Sequence, residues 1–298
     1  MQSLTILHAM LASASLSPAD VKFRNYFNSP DARQIMNIEY SSLGDFLDKG
    51  YLAGNTEMHF LKSIELGFDG LKADMRLTKD GEIILCHDAG YTFDADGRIA
   101  RFNREDFVPI RDLPLEKALS LEFADSFEGK TLHPCTLDTM LSLCQEYGMV
   151  PYLTLRYEPW QPETAKRMVE LILKHNLQNR TIVNLFPGKK EAMDCVSSML
   201  PGLEYSNTGL PDQPLTKELI DSSEKDGFKI ICLCRNQIKS VTREKCQYAA
   251  FKGIHIWMWG SYTLEQCAED LSLGITGFQM YNRLATNSVI AKMLDEMP

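Results

Sequence analysis

The sequence lacks the features that mark several common classes of protein. None of its eight cysteines forms a CxxC pair, so a zinc site is poorly supported. Most cysteines lie in apolar runs such as "IICLC", which is typical of buried, reduced thiols in a cytoplasmic protein. No apolar run reaches the roughly 18 residues that a transmembrane helix needs. The net charge of −9 disfavours nucleic acid or an anionic membrane as a partner.

Glycine-rich phosphate fingerprints, low-complexity tracts and short repeats are also missing from the chain. What is present is ordinary globular composition, with 298 residues, 44% hydrophobic and 24% charged. This length allows two domains, but α/β barrels of about 250 residues fold as one.

Strand-like and helix-like segments alternate over most of the chain. The strand candidates are Gln34–Tyr40, Leu71–Leu77, Val150–Arg156, Arg180–Phe186, the weaker Leu203–Gly209, Phe228–Arg235, Ile254–Gly260 and Ile275–Tyr281. Parallel strands need crossover helices, and about eight βα units close into a TIM-like (β/α)8 barrel. An open, doubly wound sheet is the alternative. We predict a single-domain α/β barrel over residues 34–298, preceded by an N-terminal helical extension over residues 1–33.

Functional side chains of such a fold lie at the carboxyl ends of its strands. The residues at these ends that can bind or react are Glu39, Asp74, Arg156, Trp257 and those near Asn282. We therefore expect them to gather at one mouth of the barrel.

The segment "LKADMRLTKDGEIILCHD" (Leu71–Asp88) predicts a strand, a tight turn at Asp80-Gly81 and a second strand. Asp74 and His87 lie six residues outside that dipeptide, one on each side. If the chain doubles back there, the carboxylate and the imidazole meet across two strands. Lys72 precedes Asp74 by two residues, which places both side chains on one face of a regular strand.

The order of residues in Gly54–Asp88 resembles the glycerophosphodiester phosphodiesterase family, whose pattern runs HRG, PENT, ELD, TKDG and HD. The matching residues are Asn55-Thr56 for the end of PENT, Asp74 for the last letter of ELD, Thr78–Gly81 for TKDG and His87-Asp88 for HD. The resemblance continues more weakly and covers about residues 35–290 in order.

The resemblance implies a TIM barrel that hydrolyses glycerophosphodiesters with a divalent metal. In the family, two histidines transfer protons, and two glutamates and an aspartate hold the metal. Here Asp74 and His87 are the catalytic residues that the resemblance retains. Lys72, Thr154 and Asn282 stand where the family has glutamate, glutamate and aspartate, and no histidine precedes Asn55 at the first histidine's place.

This pattern predicts a degenerate metal site. Mg²⁺ and Ca²⁺ prefer several carboxylate or carbonyl oxygens, so we expect weak metal binding at most. Asp74 is the retained ligand candidate, and Glu39 is the candidate replacement. Lys72 and Arg156 are expected to bind a phosphate as fixed cations, with Trp257 as a further substrate contact.

Two functions follow from these residues. One is a divergent phosphodiesterase that acts on or binds a phosphate ester of lipid or glycerol metabolism, with His87 as acid or base. The other is a noncatalytic phosphate-ester-binding barrel, a pseudoenzyme. An unrelated barrel lyase or isomerase is a third possibility. A purely structural Lys72, paired with Asp74 or Glu39, is the alternative for the site.

Overall fold

A computed structural model of the chain describes residues 16–28, 35–40, 44–45, 50–100, 107–155, 161–186, 190–260 and 263–280, with residues 292 and 295. Its strands are β1 (Met36–Glu39), β2 (Gly44–Asp45), β3 (Tyr51–Leu52), β4 (Gly70–Leu77), β5 (Ile83–Leu85), β6 (Gly90–Tyr91), β7 (Val108–Pro109), β8 (Ser126–Phe127), β9 (Lys130–Thr131), β10 (Val150–Leu155), β11 (Ile182–Leu185), β12 (Glu204–Thr208), β13 (Ile230–Cys234), β14 (His255–Gly260) and β15 (Gly277–Met280). Its α-helices are α1 (Pro18–Asn28), α2 (Glu57–Glu65), α3 (Leu115–Leu119), α4 (Leu137–Tyr147), α5 (Pro162–Lys174), α6 (Lys190–Met199), α7 (Lys217–Asp226), α8 (Arg243–Phe251) and α9 (Leu264–Leu273).

Eight parallel strands form a closed barrel in the order β1-β15-β14-β13-β12-β11-β10-β4. A parallel pairing of Ile38 with Gly70 joins β1 to β4 and closes the ring. The short strand β5 extends this sheet by pairing antiparallel with β4. The predicted (β/α)8 barrel is confirmed, and its closure rules out the open sheet.

Strand periodicity divides the core into two layers, because successive side chains on a strand point to opposite faces. On β4, Leu71 and Ala73 pack in the cluster between the strands and the helices. Lys72 and Asp74 alternate with them and face the barrel interior, where they line a cavity. The inward face of β4 is therefore polar at its carboxyl end.

Threonine caps fix where several of the helices begin. The side chain of Thr56 accepts a hydrogen bond from the backbone N–H of His59, and Thr136 caps α4 in the same way. Such caps satisfy amide groups that have no partner within the helix. Because helices run antiparallel to the barrel strands, these capped ends lie on the side of the strands' carboxyl ends.

Helix α1 packs against the amino-terminal end of the barrel. Tyr26 Oη donates to the carbonyl oxygen of Thr276 at 2.9 Å and accepts from Trp257 Nε1 at 2.8 Å. Arg180 Nη1 contacts Asp20 Oδ1 at 2.7 Å, and both side chains are buried. These contacts attach the helix to β14 and to the residues that precede β11 and β15.

The division into an extension over residues 1–33 and a barrel over residues 34–298 stays a prediction, because residues 1–15 and 29–34 lie outside the described part. No helix among the described residues is long and apolar enough to span a bilayer. All eight cysteines are unpaired thiols, and most of them are buried.

The hairpin after β4 differs from its predicted register by one residue. Thr78 pairs with Glu82 through a backbone bond of 2.8 Å and closes a loop of three residues, whose last member, Gly81, has φ +82°. A three-residue loop with its last residue in the left-handed region is a common hairpin connection. As a result, Asp74 lies opposite Cys86, not His87, and the predicted cross-strand pair is wrong.

Candidate functional site

A cavity of about 240 Å³ lies at the carboxyl-terminal mouth of the barrel. Its lining comes from strand ends around the ring and from the hairpin after β4. The lining residues are Tyr40, Lys72, Asp74, His87, Thr154, Asn184, Phe186, Thr208, Gly209, Leu210, Pro211, Trp259 and Gln279. Three of the predicted site residues, Lys72, Asp74 and His87, are thus brought together.

A buried ion pair occupies one wall of the cavity. Lys72 Nζ lies 2.8 Å from Asp74 Oδ1 and 2.7 Å from Asp74 Oδ2. Asn55 holds the same aspartate, since its Oδ1 accepts from the Asp74 backbone N–H at 3.2 Å. The Lys72 ammonium also lies 4.9 Å from the centre of the Tyr40 ring. Both oxygens of Asp74 are therefore in contact with a cation supplied by the chain.

His87 is half exposed at the edge of the cavity. Its Nδ1 lies 2.8 Å from Asp88 Oδ1, and its carbonyl oxygen accepts from Arg76 Nη2 at 2.9 Å. A carboxylate at Nδ1 favours a proton there and leaves Nε2 for other partners. His87 and Asp74 thus reach one cavity from different positions along the hairpin.

Neutral hydrogen-bonding groups form the floor of the cavity. Tyr152 Oη lies 2.9 Å from both Asn184 Oδ1 and Ser206 Oγ, and it accepts from Gln279 Nε2 at 2.7 Å. Asn184 Nδ2 donates to Thr154 Oγ1 at 3.2 Å. The network joins four strands across the barrel and is almost completely buried.

The electrostatics of the floor keep it uncharged. Burial raises the pKa of the Tyr152 hydroxyl well above its usual value. Burial also raises the pKa of the Cys232 thiol, which accepts a contact from Gln279 Nε2 at 3.0 Å. These groups act as hydrogen-bonding partners and not as ions at neutral pH.

Glu39 does not lie at the mouth, contrary to its prediction as a replacement metal ligand. Ile38 faces the barrel interior, so Glu39 points outward, and its Oε1 lies 2.9 Å from Nε2 of His59 on helix α2. His59 is itself fully buried. Tyr40 is the residue of this segment that reaches the cavity.

Trp257 also differs from its predicted position. It is fully buried in the barrel interior, between Tyr26 and Tyr152, and is not part of the cavity lining. Trp259 lies one inward position further along β14 and lines the cavity instead. Its ring is parallel to that of Tyr40, with centres 6.0 Å apart. Arg156 and Asn282 lie outside the described residues.

The described side chains around the cavity do not fit a divalent metal site. Asp74 is paired with Lys72, Thr154 accepts from Asn184, and Glu39 lies outside the barrel wall. Among the described residues, no group of three or more His, Cys, Asp or Glu side chains is placed to hold a metal. We therefore derive no chemical step through a metal ion.

Several residues of the site carried no chemical signature in the sequence. Tyr152, Asn184, Gln279 and Trp259 belong to ordinary strands and match no reactive motif. A signal was nevertheless available, because doubly covered parallel strands read as apolar runs. Asn184 in "TIVNLF" and Gln279 in "GFQMY" interrupt such runs at inward positions near the strand ends.

Comparison with known proteins identifies the class first by fold. A glycerophosphoryl diester phosphodiesterase structure from Parabacteroides distasonis superposes with a TM-score of 0.67 at 15% identity, covering 95% of this chain and 94% of that one. A phosphodiesterase from Oleispira antarctica, solved in complex with the product sn-glycerol-3-phosphate, gives a TM-score of 0.69 at 16% identity over 88% and 99% of the two chains. These likenesses show the (β/α)8 barrel.

Sequence similarity then indicates which family about half of the chain resembles. The profile of the glycerophosphoryl diester phosphodiesterase family matches residues 48–191. A glycerophosphodiester phosphodiesterase from Caldanaerobacter subterraneus is 27% identical over 144 residues, or 44% of this chain and 52% of that protein. The chain thus spans about half the length of this curated relative. Residues 48–191 are thus similar to the glycerophosphoryl diester phosphodiesterase family.

Proposed function

We propose that the chain binds a phosphate ester of lipid or glycerol metabolism in the barrel mouth, without the divalent metal that the family resemblance implies. The observation that carries this proposal is the Lys72 ammonium, which lies within 2.8 Å of both Asp74 oxygens. A cation belonging to the chain takes the place where the family has a glutamate. Binding of sn-glycerol-3-phosphate by the Oleispira antarctica relative supports the ligand class.

The ammonium can serve a ligand as well as Asp74. A lysine has three hydrogen-bond donors, and an ammonium can share them between a carboxylate and a phosphate. Attraction between an ion pair and an incoming anion is weaker than that of a lone cation, so further donors are needed. His87 lines the same cavity, and Arg156, at the end of β10 in sequence, is the second cation of the proposal.

The neutral floor is suited to the uncharged part of such an ester. Thr154 Oγ1 accepts from Asn184, which leaves its own hydroxyl hydrogen without an acceptor among the described residues. Gln279 Oε1 likewise accepts no hydrogen bond from the part of the chain that is described. A donor and an acceptor at the floor match the two roles of an alcohol group. The hydroxyls of a glycerol moiety would therefore lie on the floor, with the phosphate toward Lys72.

Titration calorimetry with sn-glycerol-3-phosphate in EDTA tests the proposal. We expect binding without metal, and we expect Lys72→Ala to weaken it by about 1–3 kcal/mol, the range for hydrogen bonds to charged groups. Lys190→Ala is the matched control, since Lys190 forms an exposed pair with Asp194 outside the cavity. Equal affinities of wild type and Lys72→Ala would leave Lys72 as a structural partner of Asp74.

Metal titration tests the other half of the proposal. Mg²⁺ and Ca²⁺ should bind weakly at most, because the chain's own ammonium contacts the retained carboxylate. Replacing Lys72 and Thr154 together by glutamate should strengthen metal binding, since it restores two carboxylates beside Asp74. Tight binding by the wild type that Asp74→Ala abolishes would show that a functional metal site exists.

Metal-independent hydrolysis is the second candidate function, and the contact between His87 and Asp88 favours it. A histidine oriented by a carboxylate can transfer a proton to or from a phosphate ester. Release of glycerol phosphate from a glycerophosphodiester in EDTA, lost in His87→Ala, would establish this activity. Absence of release alongside binding would support the noncatalytic function.

A further inference from the structure

Apolar side chains form part of the lining of the cavity mouth. Leu210 is 42% exposed, and it lines the cavity together with Phe186, Pro211 and Trp259. Exposed apolar side chains that meet in a concave site mark a place for an apolar ligand group. The phosphate and hydroxyl groups of the proposed ligand are polar, so they offer no apolar surface for these four residues to contact.

The apolar and charged groups lie on different sides of the barrel. Lys72 and Asp74 belong to β4, and His87 follows the attached hairpin. In the ring order β4-β1-β15-β14 and β4-β10-β11-β12, the strands that lead to Trp259 and Leu210 are each three positions from β4. Leu210 and Trp259 are therefore supplied from parts of the ring that are distant from β4, and the cavity also has the polar side chains of Asn184 and Thr208 in its lining.

The loop that presents Leu210 is held in place. The Gly209 N–H donates to Cys232 O at 2.8 Å, and Gln237 Nε2 donates to Pro211 O at 2.8 Å. The Gln213 N–H closes the turn on Leu210 O at 3.0 Å. Exposure of Leu210 is thus a property of an anchored loop.

We propose that the cavity takes an amphiphilic phosphate ester with one hydrocarbon chain, such as a monoacyl glycerol phosphate. This inference rests on the proposed function and extends it. The phosphate lies toward Lys72, and the first methylenes of the chain contact Leu210, Phe186 and Trp259. A volume of about 240 Å³ holds the head group and the start of the chain. The remainder of the chain leaves through the open mouth.

Calorimetry with a chain-length series tests this inference. The probes are sn-glycerol-3-phosphate and its monobutanoyl, monohexanoyl and mono-octanoyl esters, each kept below its critical micelle concentration. Affinity should rise about two- to fourfold for each methylene that enters the mouth, as burial of apolar surface predicts, and then level off. Leu210→Ser should reduce this dependence on chain length. Phe251→Ser, an 85% exposed residue on α8 outside the cavity, should not.

The outcomes separate the two proposals. If glycerol phosphate binds but its esters bind no more tightly, the amphiphile inference is wrong and the proposed function stands. If neither binds, the proposed function fails. A chain-length dependence that Leu210→Ser leaves intact would also overturn the inference, provided that thermal unfolding shows the variant to be folded. Binding to vesicles of monoacyl glycerol phosphate and phosphatidylcholine without binding of the monomers would point to a membrane surface instead.

Discussion

Each end of the barrel has a buried ion pair, but the two pairs have different surroundings. At the amino-terminal end, helix α1 covers the strands, and the buried Arg180–Asp20 pair joins them. At the carboxyl-terminal end, the buried Lys72–Asp74 pair borders an open cavity. The first pair is enclosed by protein, whereas the second can be reached by a ligand.

The aspartates of the two ion pairs also differ in their hydrogen-bond partners. Burial acts to raise the pKa of Asp20, but hydrogen bonds from Ser17 and Arg180 outweigh it and lower the pKa below its usual value. Asp74 is instead paired with Lys72, which lines the cavity and can also contact a ligand. Asn55 accepts a hydrogen bond from the backbone N–H of Asp74. Residues at the amino end of such barrels serve stability, and those at the carboxyl end serve function. Four predictions test whether that division holds here.

The largest effect is expected at the covered end. Arg180→Ala removes the partner of buried Asp20 and should lower the free energy of unfolding by about 3–5 kcal/mol. Urea unfolding, followed by tryptophan fluorescence, measures it. Arg24→Ala is the control, because Arg24 on α1 makes only an exposed contact with Asn179 among the described residues, and it should cost less than about 0.5 kcal/mol. A large loss of ligand affinity in folded Arg180→Ala would break the division between the ends.

A buried carboxylate on α9 should make the protein less stable at neutral pH than at pH 4. Burial raises the pKa of Asp270 to about 7, although Arg235, which follows β13 toward the mouth, opposes the shift. The folded state then holds a proton that the unfolded state releases, so stability falls as pH rises from about 4 to 7, by about 4 kcal/mol in all. Asp270→Asn should remove this slope and be the more stable protein at pH 8. Parallel stability curves for the two proteins would contradict it.

The covered end should produce the opposite dependence on pH. Burial, assisted by the charge of Lys229, lowers the pKa of His255 to about 4, and its ring stacks on Tyr26 of α1 at 4.3 Å. The unfolded state binds a proton more readily, so stability is lost as pH falls from about 6.5 to 4, by roughly 3 kcal/mol. His255→Phe should be less sensitive to acid in the same unfolding measurement. An unchanged acid transition would mean that the imidazole does not remain neutral.

The smallest change in stability is expected from replacing the whole pair at the open end. Lys72→Met with Asp74→Leu removes both charges, and such replacements often change stability by no more than about 1–2 kcal/mol. Lys72→Ala alone leaves Asp74 buried without its cation and should cost about 3–5 kcal/mol. The double variant should also lose binding of sn-glycerol-3-phosphate. Retained binding would show that the Lys72–Asp74 pair, like the Arg180–Asp20 pair, serves stability and not ligand binding.

The fold was largely readable from the sequence because the barrel repeats one local pattern. Apolar strands followed by capped amphipathic helices predict crossover connections, and each observed barrel strand overlaps a predicted strand. The hairpin register was not readable to one residue, because a two-residue and a three-residue loop fit the letters "TKDG" equally well. The Thr78–Glu82 backbone bond selects the longer loop.

The site was predicted in part, for reasons of strand geometry. Lys72 and Asp74 were placed correctly in one cavity, since two residues on one face of a strand stay together. Glu39 lies at the end of its strand, as predicted from the sequence, but its side chain points away from the barrel interior. Nearness to a strand end does not determine which face of the strand a side chain occupies. Trp257 and Trp259 lie on the same face of β14, because they are two residues apart. The sequence does not show how deep the cavity is, so it does not show that only Trp259 lines it.

The attachment of α1 also sets the order in which the molecule is completed. Tyr26 is separated from Thr276 by 250 residues, and Trp257 from Tyr26 by 231. A ribosome adding roughly 5–20 residues per second needs roughly 12–50 seconds to make the distant partners of this helix. During that interval, the apolar face of α1 that carries Phe23 and Tyr26 has no barrel to cover. The first helix among the described residues is therefore among the last to reach its native place.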